Sequence, residues 1–548
     1  MALSRYLSRD EFERYLSVVS KLFSFDPALK KWKPNASKIA NYSLDEVKQI
    51  IDELMNIGMV GHELDEALRM AENMGDYAYE LNGNYIKLRA RHLPLDAIRS
   101  ELSYEIKTYD REVHRYVPKR IYRVWGENPV VTYRGLAPIL ERVSGRPLPK
   151  LFDVQTREVQ VHGFEPRKYQ MDAMRAVTSQ FQKCGAATVQ MATGGGKTVV
   201  AKLVHESLNR PKTFFVTLST DLLLQAKEVW ERFGDKNVGL VMSGSMDYSK
   251  NTVMATVQTL NKVINESLDD TDKQMINELT SEGIKYDDVE LNDEDRKRLL
   301  YEYSTSELVI FDETQHVPAS TARTVVKYND TSLRLGLSAT PWRDDGRSMD
   351  IYAFMGTVAH ITNASDLADM GYVVPADITM YHVDHSYTPV SWPDAKSHVF
   401  ANEDRAKRVA EIVRSLPKPC MVIVKEIKHG RLQSSMIDDA IFVSSEVTPE
   451  LRKSIFDRVR SNEQSVIVCT TLADEGLDIP NLRSLVLAGG GKSSTRALQR
   501  VGRVLRPDKS KDYGYVVDIV DDIEYFDEHA KRRREIYQTE PRWRIHDE

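Results

Sequence analysis

The chain has 548 residues, room for three or four domains of about 150 residues, and its 41 % apolar content is enough to fill their cores. No apolar run reaches the ~20 residues of a membrane span, and Met1-Ala2-Leu3-Ser4-Arg5 lacks the apolar stretch of a secretion signal. Cys184, Cys420 and Cys469 are too dispersed for a disulfide framework or a zinc site. These features exclude the membrane-spanning, secreted and zinc-organised classes and lead to the expectation of a cytoplasmic protein with no membrane partner. The net charge of −6 neither advertises nor forbids nucleic acid, because such binding follows local patches.

Residues 1–83 carry apolar side chains at helical spacing, as in Leu44, Val47, Ile50, Ile51, Leu54 and Met55, and read as a mainly helical region. Residues 84–162 mix strand-like runs (85–88 and 130–133) with a helix near 136–143 that Gly145, Pro147 and Pro149 terminate, which predicts a small α+β accessory domain. Within it Tyr104, Tyr109, Tyr116, Tyr122 and Trp125 alternate with Lys107, Arg111, Arg115, Lys119, Arg120 and Arg123. Aromatics among cations suit stacking on bases and contact with phosphates, which makes the block a candidate for DNA binding. The same rings equally suit the core of a small domain.

From Glu165 onward strand-like runs alternate with helical stretches: 187–189, 213–216, 252–255, 308–311 and 334–337, then 421–424, 440–443, 466–468, 484–487 and 515–518. The alternation predicts βα units in two parallel sheets, assigned to residues 163–362 and 363–522 and joined between about 360 and 400. Acid is concentrated in 262–300, which reads as a solvated helical insertion or as a surface for a protein partner. The N-terminal region is a second candidate for such a partner. Residues 523–548 form a basic tail in which Lys531-Arg532-Arg533-Arg534 is expected to face solvent.

Met191-Ala192-Thr193-Gly194-Gly195-Gly196-Lys197-Thr198 follows a predicted strand and opens a predicted helix, the context that a P-loop requires. Thr193, Gly194, Gly195 and Gly196 let the backbone wrap phosphates, and the helix N-terminus favours negative charge. Lys197 is suited to the β- and γ-phosphates and Thr198 to Mg²⁺. Met191 stands where the strict pattern has Gly. Downstream, the apolar run 308–311 ends in Asp312-Glu313, one carboxylate for the metal shell and one to orient or deprotonate water. In the second block Arg503 and Arg506 are three apart, so on a helix they share a face. Arginines supplied by a separate domain suit charge stabilisation on a transferring phosphoryl group.

In order and context, these motifs resemble those of the superfamily 2 helicases, from about Pro166 to Asp521. The resemblance implies two tandem RecA-like parallel-sheet domains, a P-loop NTPase fold preceded by a small α+β region. It implies ATP and Mg²⁺ as cofactors, with Arg167 and Gln170 on the adenine side and Gly476 and Asp478 also on the nucleotide. Gln499 joins the catalytic set, while Gln315, Ser338 and Thr340 couple the ATP site to movement. Ser219, Thr256 and Thr471 lie near nucleic-acid phosphates, so DNA, single-stranded or branched, is the implied partner, with weak sequence preference. The stretches Trp342 to Arg347, Asp369 to Pro375 and Lys428 to Arg431 are similar to XPB-type repair helicases and to phage repair and recombination helicases. That branch implies 3′ to 5′ travel and a role in repair, recombination or replication. Two departures stand out: Gln315 replaces the usual His, and Leu218-Ser219 replaces Pro-Thr. Three rivals remain open: a non-unwinding translocase subunit of a nuclease complex, an ATP-gated scaffold and an RNA helicase.

Overall fold

The computed structural model describes residues 2–3, 7–27, 29–39, 42–73, 77–90, 92–110, 115–159, 164–267, 293–329, 332–470, 479–491, 493–508 and 511–548. They fall into two compact units. One comprises Met1–Asp153 with Phe181–Ala186 and Tyr352–Thr357, and the other the remainder.

In the first unit, helices Arg9–Leu22 and Leu44–Ile57 each begin with a capping box, Ser8 with Glu11 and Ser43 with Glu46. Gly58 ends the second in the left-handed conformation that glycine adopts without strain. With His62–Asn73 they enclose Val19, Leu22, Phe23, Val47, Leu54 and Ala67. A four-stranded antiparallel sheet follows in the order Tyr77–Asn82, Tyr85–Ala90, Val130–Tyr133, Val124–Trp125. Ser103–Asp110 and Arg115–Tyr122 form a separate two-stranded antiparallel ribbon.

The second unit holds two large sheets. The order in the first is Ser245–Met246, Val238–Met242, Thr252–Thr256, Thr213–Thr217, Leu308–Asp312, Leu333–Ser338, Ala186–Met191, Val358–Thr362. Its central pairs run parallel. The second sheet is parallel throughout, in the order Ala440–Val443, Val466–Cys469, Cys420–Ile423, Ser484–Leu487, Gly514–Asp522, Ala376–Asp384, Arg544–Asp547. Strands such as Thr213–Thr217 and Leu308–Asp312 are buried at every position, as expected where helices cover both faces of a sheet. The fold is the expected pair of RecA-like parallel-sheet α/β domains behind an α+β region. The three cysteines are buried, and burial pushes their thiols up, to about 11 for Cys184 and about 12 for Cys420 and Cys469.

One expectation needs correction. Residues 523–548 are no solvent-facing tail: they form helix Phe526–Tyr537 and strand Arg544–Asp547, which extends the second sheet along Ala376–Asp384. Arg533 of the basic run is buried and forks onto Asp518, Nη2 to Oδ1 2.7 Å and Nε to Oδ2 2.8 Å. A charge run does not reveal which of its members will find a buried carboxylate. Helices are described at both ends of the acidic stretch 262–300. Helix Val257–Ser267 overlaps its start, and helix Asp293–Ser304 buries Leu299, Leu300 and Tyr303 ahead of the strand that bears Asp312. Residues 268–292 lie outside the described residues.

Candidate active site

Strand Ala186–Met191 runs into helix Lys197–Ser207 through the glycine loop. Gly194 (φ +84°) and Gly196 (φ +87°) occupy the left-handed region, and a Cβ on Gly196 would stand 2.6 Å from Gln170 Nε2. Tyr169 Oη donates to the Gly195 carbonyl at 2.7 Å, and Gln170 Nε2 donates to the same oxygen at 3.1 Å. The Gln170 Oε1 accepts from the Arg167 N–H at 3.0 Å. Gln170 therefore grips the loop backbone, and only 2 % of it is exposed. Arg167, expected with it on the adenine side, lays its guanidinium 3.8 Å over the Tyr372 ring.

The carboxylate pair ends strand Leu308–Asp312 in the same sheet. Glu313 has φ +56°, an unfavourable backbone state for a residue with a Cβ, of the kind that concentrates at functional sites. Its Oε2 accepts from Gln315 Nε2 at 2.7 Å and from Gln499 Nε2 at 3.0 Å, and its Oε1 lies 3.8 Å from Lys197 Nζ. Burial, and then the charge of Glu313, hold the Asp312 carboxyl well above the usual carboxylate range. Gln315 Oε1 accepts from Ser338 Oγ at 2.6 Å, and Ser338 Oγ accepts from the Thr340 N–H at 2.9 Å. The glutamine in the histidine position thus links Glu313 to the Ser-Ala-Thr segment within one sheet domain. Gln499 makes a hydrogen bond that spans the two domains.

Gln499 lies on helix Ser494–Gly502 of the second domain. Arg503 caps that helix and Arg506 lies beyond it, so the expectation that the two share a helical face is not met. Pro507 disfavours the helical conformation at Arg506 and closes the helix early. Both arginines still line one cavity of about 550 Å³ with Thr193, Lys197, Glu313 and Gln315. Gly502 packs against the glycine loop, where a Cβ would stand 2.7 Å from Thr193 Cβ. Arg343, Arg496 and Arg532 line the same cavity and were not among the sequence-derived site residues. Arg532 was hidden in the basic run assigned to a tail, Arg343 lay in the Trp342 to Arg347 stretch that was read only as a mark of the branch, and Arg496 carried no motif signal of its own.

Asp312 at the end of its strand and Thr198 at the start of helix Lys197–Ser207 offer hard oxygen donors, and the described residues contain no cluster of three or more His, Cys, Asp or Glu suited to a metal. Such a sparse donor set fits Mg²⁺, which keeps waters and substrate phosphates as its remaining ligands. Of the residues expected at nucleic acid, Ser219 caps helix Thr220–Arg232 by accepting from the Leu222 N–H. Thr256 is buried, with its Oγ1 2.9 Å from Thr259 Oγ1. Thr471, Gly476 and Asp478 lie outside the described residues. In the segment Lys428 to Arg431, His429 is buried and stacks on Phe400 with centroids 4.5 Å apart, a packing role. Among the described residues, no helix is long and apolar enough to cross a membrane.

Asp312→Asn is expected to stabilise the fold while abolishing turnover. A carboxyl raised in the native state binds its proton more tightly there than when unfolded, so its contribution to stability is lost as pH rises above the unfolded value of about 3.9. The melting temperature of the variant should exceed that of the parent at pH 8, and the gap should shrink toward acid pH. An equal or lower melting temperature at pH 8 refutes the assignment of a strained, buried carboxyl.

Comparison with known proteins gives the same frame. The family model for the type III restriction enzyme res subunit matches residues 163–343, and that for the helicase conserved C-terminal domain matches 404–508. A protein named as a helicase, helicase 22 of the Sulfolobus islandicus filamentous virus (isolate Iceland/Hveragerdi), is 28 % identical over 98 % of this chain and 96 % of its own length. A relative from Haloarcula marismortui, named for a DNA 3′-5′ helicase Rad25, is 30 % identical over 39 % of this chain, a match that spans 35 % of the relative. A fragment of an HsdR subunit of a type I restriction enzyme from Vibrio vulnificus YJ016 has the same fold at 18 % identity, with a TM-score of 0.52 over 89 % of this chain and 84 % of that one. The two matched regions fall in chain order on the two parallel sheets whose facing edges carry Lys197 and Glu313 on one side and Gln499 and Arg503 on the other, and the chain belongs to the superfamily 2 helicases, the ATP-hydrolysing class of helicases and translocases.

Proposed function

We propose that this chain couples ATP hydrolysis to 3′ to 5′ movement along DNA, in repair, recombination or replication. The observation that carries the reading is the single cavity in which Lys197 and Glu313 of one domain meet Gln499, Arg503 and Arg506 of the other. Lys197 holds the terminal phosphates and Glu313 orients the attacking water. Arg503 and Arg506 stabilise the charge that develops on the transferring group. Thr198 and Asp312 would hold Mg²⁺, which when bound would neutralise phosphate charge. Loss of the γ-phosphate removes the charge that draws the arginines in, so the cleft reopens and the two domains step along the strand. Contacts to backbone phosphates make binding salt-sensitive and weakly sequence-specific. The direction of travel and the preference for DNA rest on the name of the Haloarcula relative and on the XPB-like segments.

A second reading, a translocase that moves duplex DNA for a partner nuclease without unwinding it, is favoured by the res-subunit match and by the fold shared with the HsdR fragment. Steady-state ATP turnover with single-stranded, duplex and branched DNA and with RNA, beside a Lys197→Ala control, separates the readings. DNA stimulation that the control lacks supports the motor, and stimulation by duplex alone favours the second reading. Equal low turnover with every polymer refutes both.

A further inference from the structure

The ribbon of the first unit has two unlike faces. Its register pairs Ser103 with Tyr122, Glu105 with Arg120, Lys107 with Pro118 and Tyr109 with Tyr116, so these side chains share one face. Tyr104, Ile106 and Thr108, opposite Ile121, Lys119 and Val117, share the other. On that second face all but Lys119 are half-buried. On the first, every residue except Ser103 is exposed: Tyr109 by 51 %, Tyr116 by 69 % and Tyr122 by 47 %. Alternation has therefore sorted the aromatics that the sequence left ambiguous, and three tyrosines stand in solvent outside any core. Trp125, 43 % exposed, lies outside the ribbon and packs against Tyr85 and Tyr133 at 6.0 and 5.5 Å between centroids.

The charge is local as well. In a chain of net charge −6, residues 103–122 carry five Lys and Arg against three Asp and Glu. Lys107, Arg115, Lys119 and Arg120 are all exposed. A two-stranded ribbon gains little stability from its own pairing, and the edge-to-face contact of Tyr109 with Tyr116, 5.4 Å between centroids, steadies it without covering either ring, so the exposure of this face is not explained by the fold. Rings beside cations fit a polymer that offers flat bases on a charged backbone. A duplex hides the faces of its bases, whereas a single strand exposes them.

We infer that the exposed ribbon face built from Lys107, Tyr109, Tyr116, Arg120 and Tyr122 is a binding platform for single-stranded DNA. Bases stack on Tyr109, Tyr116 and Tyr122, and Lys107 and Arg120 face the phosphates. The inference rests on the reading of the chain as a DNA motor and deepens it, because the platform supplies a grip outside the two sheet domains that hydrolyse ATP.

The test is fluorescence anisotropy of the full chain, without ATP, on a labelled oligothymidine of about 16 nucleotides and on its duplex. Tyr109→Ala/Tyr116→Ala should weaken single-strand binding by about 30-fold or more, since stacking contributes about 1–3 kcal/mol per base and two rings are lost. Tyr109→Phe/Tyr116→Phe should bind like the parent, because the ring and not the hydroxyl makes the contact. Tyr109→Leu/Tyr116→Leu keeps apolar bulk on the ribbon yet should bind as weakly as the alanine pair, which separates lost stacking from lost folding. Lys107→Ala/Arg120→Ala should flatten the salt dependence by about 1.4 log units per log unit of salt. Turnover in the absence of nucleic acid should be unchanged in all four. Leucine and alanine pairs that bind like the parent overturn the inference, as does an equal loss on duplex. If no polymer stimulates the parent, the motor reading fails by itself, and the oligothymidine titration still decides the ribbon.

Discussion

Glu313→Gln is expected to lower ATP turnover by about 10²- to 10⁴-fold while leaving ATP binding nearly intact. The substitution is close to isosteric. Glu313 Oε2 accepts from Gln315 and Gln499, and an amide oxygen can accept the same two bonds. The positive-φ backbone at this position, which aims the side chain into the cavity, is also left in place. What disappears is the negative charge that orients or deprotonates water. At about 1.4 kcal/mol per factor of ten, the loss corresponds to roughly 3–5 kcal/mol of transition-state stabilisation. Steady-state turnover and titration with a fluorescent ATP analogue, measured on the same preparation, check the prediction. Turnover within threefold of the parent removes Glu313 from its proposed role and shifts attention to Asp312.

The second large effect is expected from the opposite domain. Arg503→Ala should lower DNA-stimulated turnover on the order of 10³-fold or more, the range of an arginine that meets a phosphoryl group in transfer. Arg503→Lys should recover little, because a point charge does not reproduce the planar fork. DNA binding without nucleotide should persist, since Arg503 lines the ATP-site cavity beside Lys197 and Glu313. Arg506→Ala should act in the same direction; burial already disfavours its charge and lowers its pKa, so it is primed to gain from a phosphate partner. The prediction separates a motor whose domains act together from a scaffold with a self-sufficient P-loop. Retention of more than a tenth of parental turnover in Arg503→Ala supports the scaffold.

The chain of amino acids by itself determined the elements whose chemistry is contiguous. Three glycines before Lys197-Thr198, and two carboxylates at the end of an apolar run, were legible because a phosphate loop needs left-handed backbone and parallel sheets hold their ligands at the carboxyl ends of the strands. The alternation of buried strands and amphipathic helices was likewise enough for two parallel sheets. Only the tertiary structure decided who meets whom. That Gln499, and not Gln315, reaches across to Glu313 depends on contacts 186 residues apart, which no local period encodes. The proline after Arg506 cut short a helix that spacing alone extends. Lys531 to Arg534 reads as one basic run, yet Arg533 is buried against Asp518 while Arg532 lines the cavity, because a helix turns its residues by about 100° each. The tyrosines of the ribbon faced inward or outward with equal right until strand register chose, since alternation sets which residues share a face but not which face is covered.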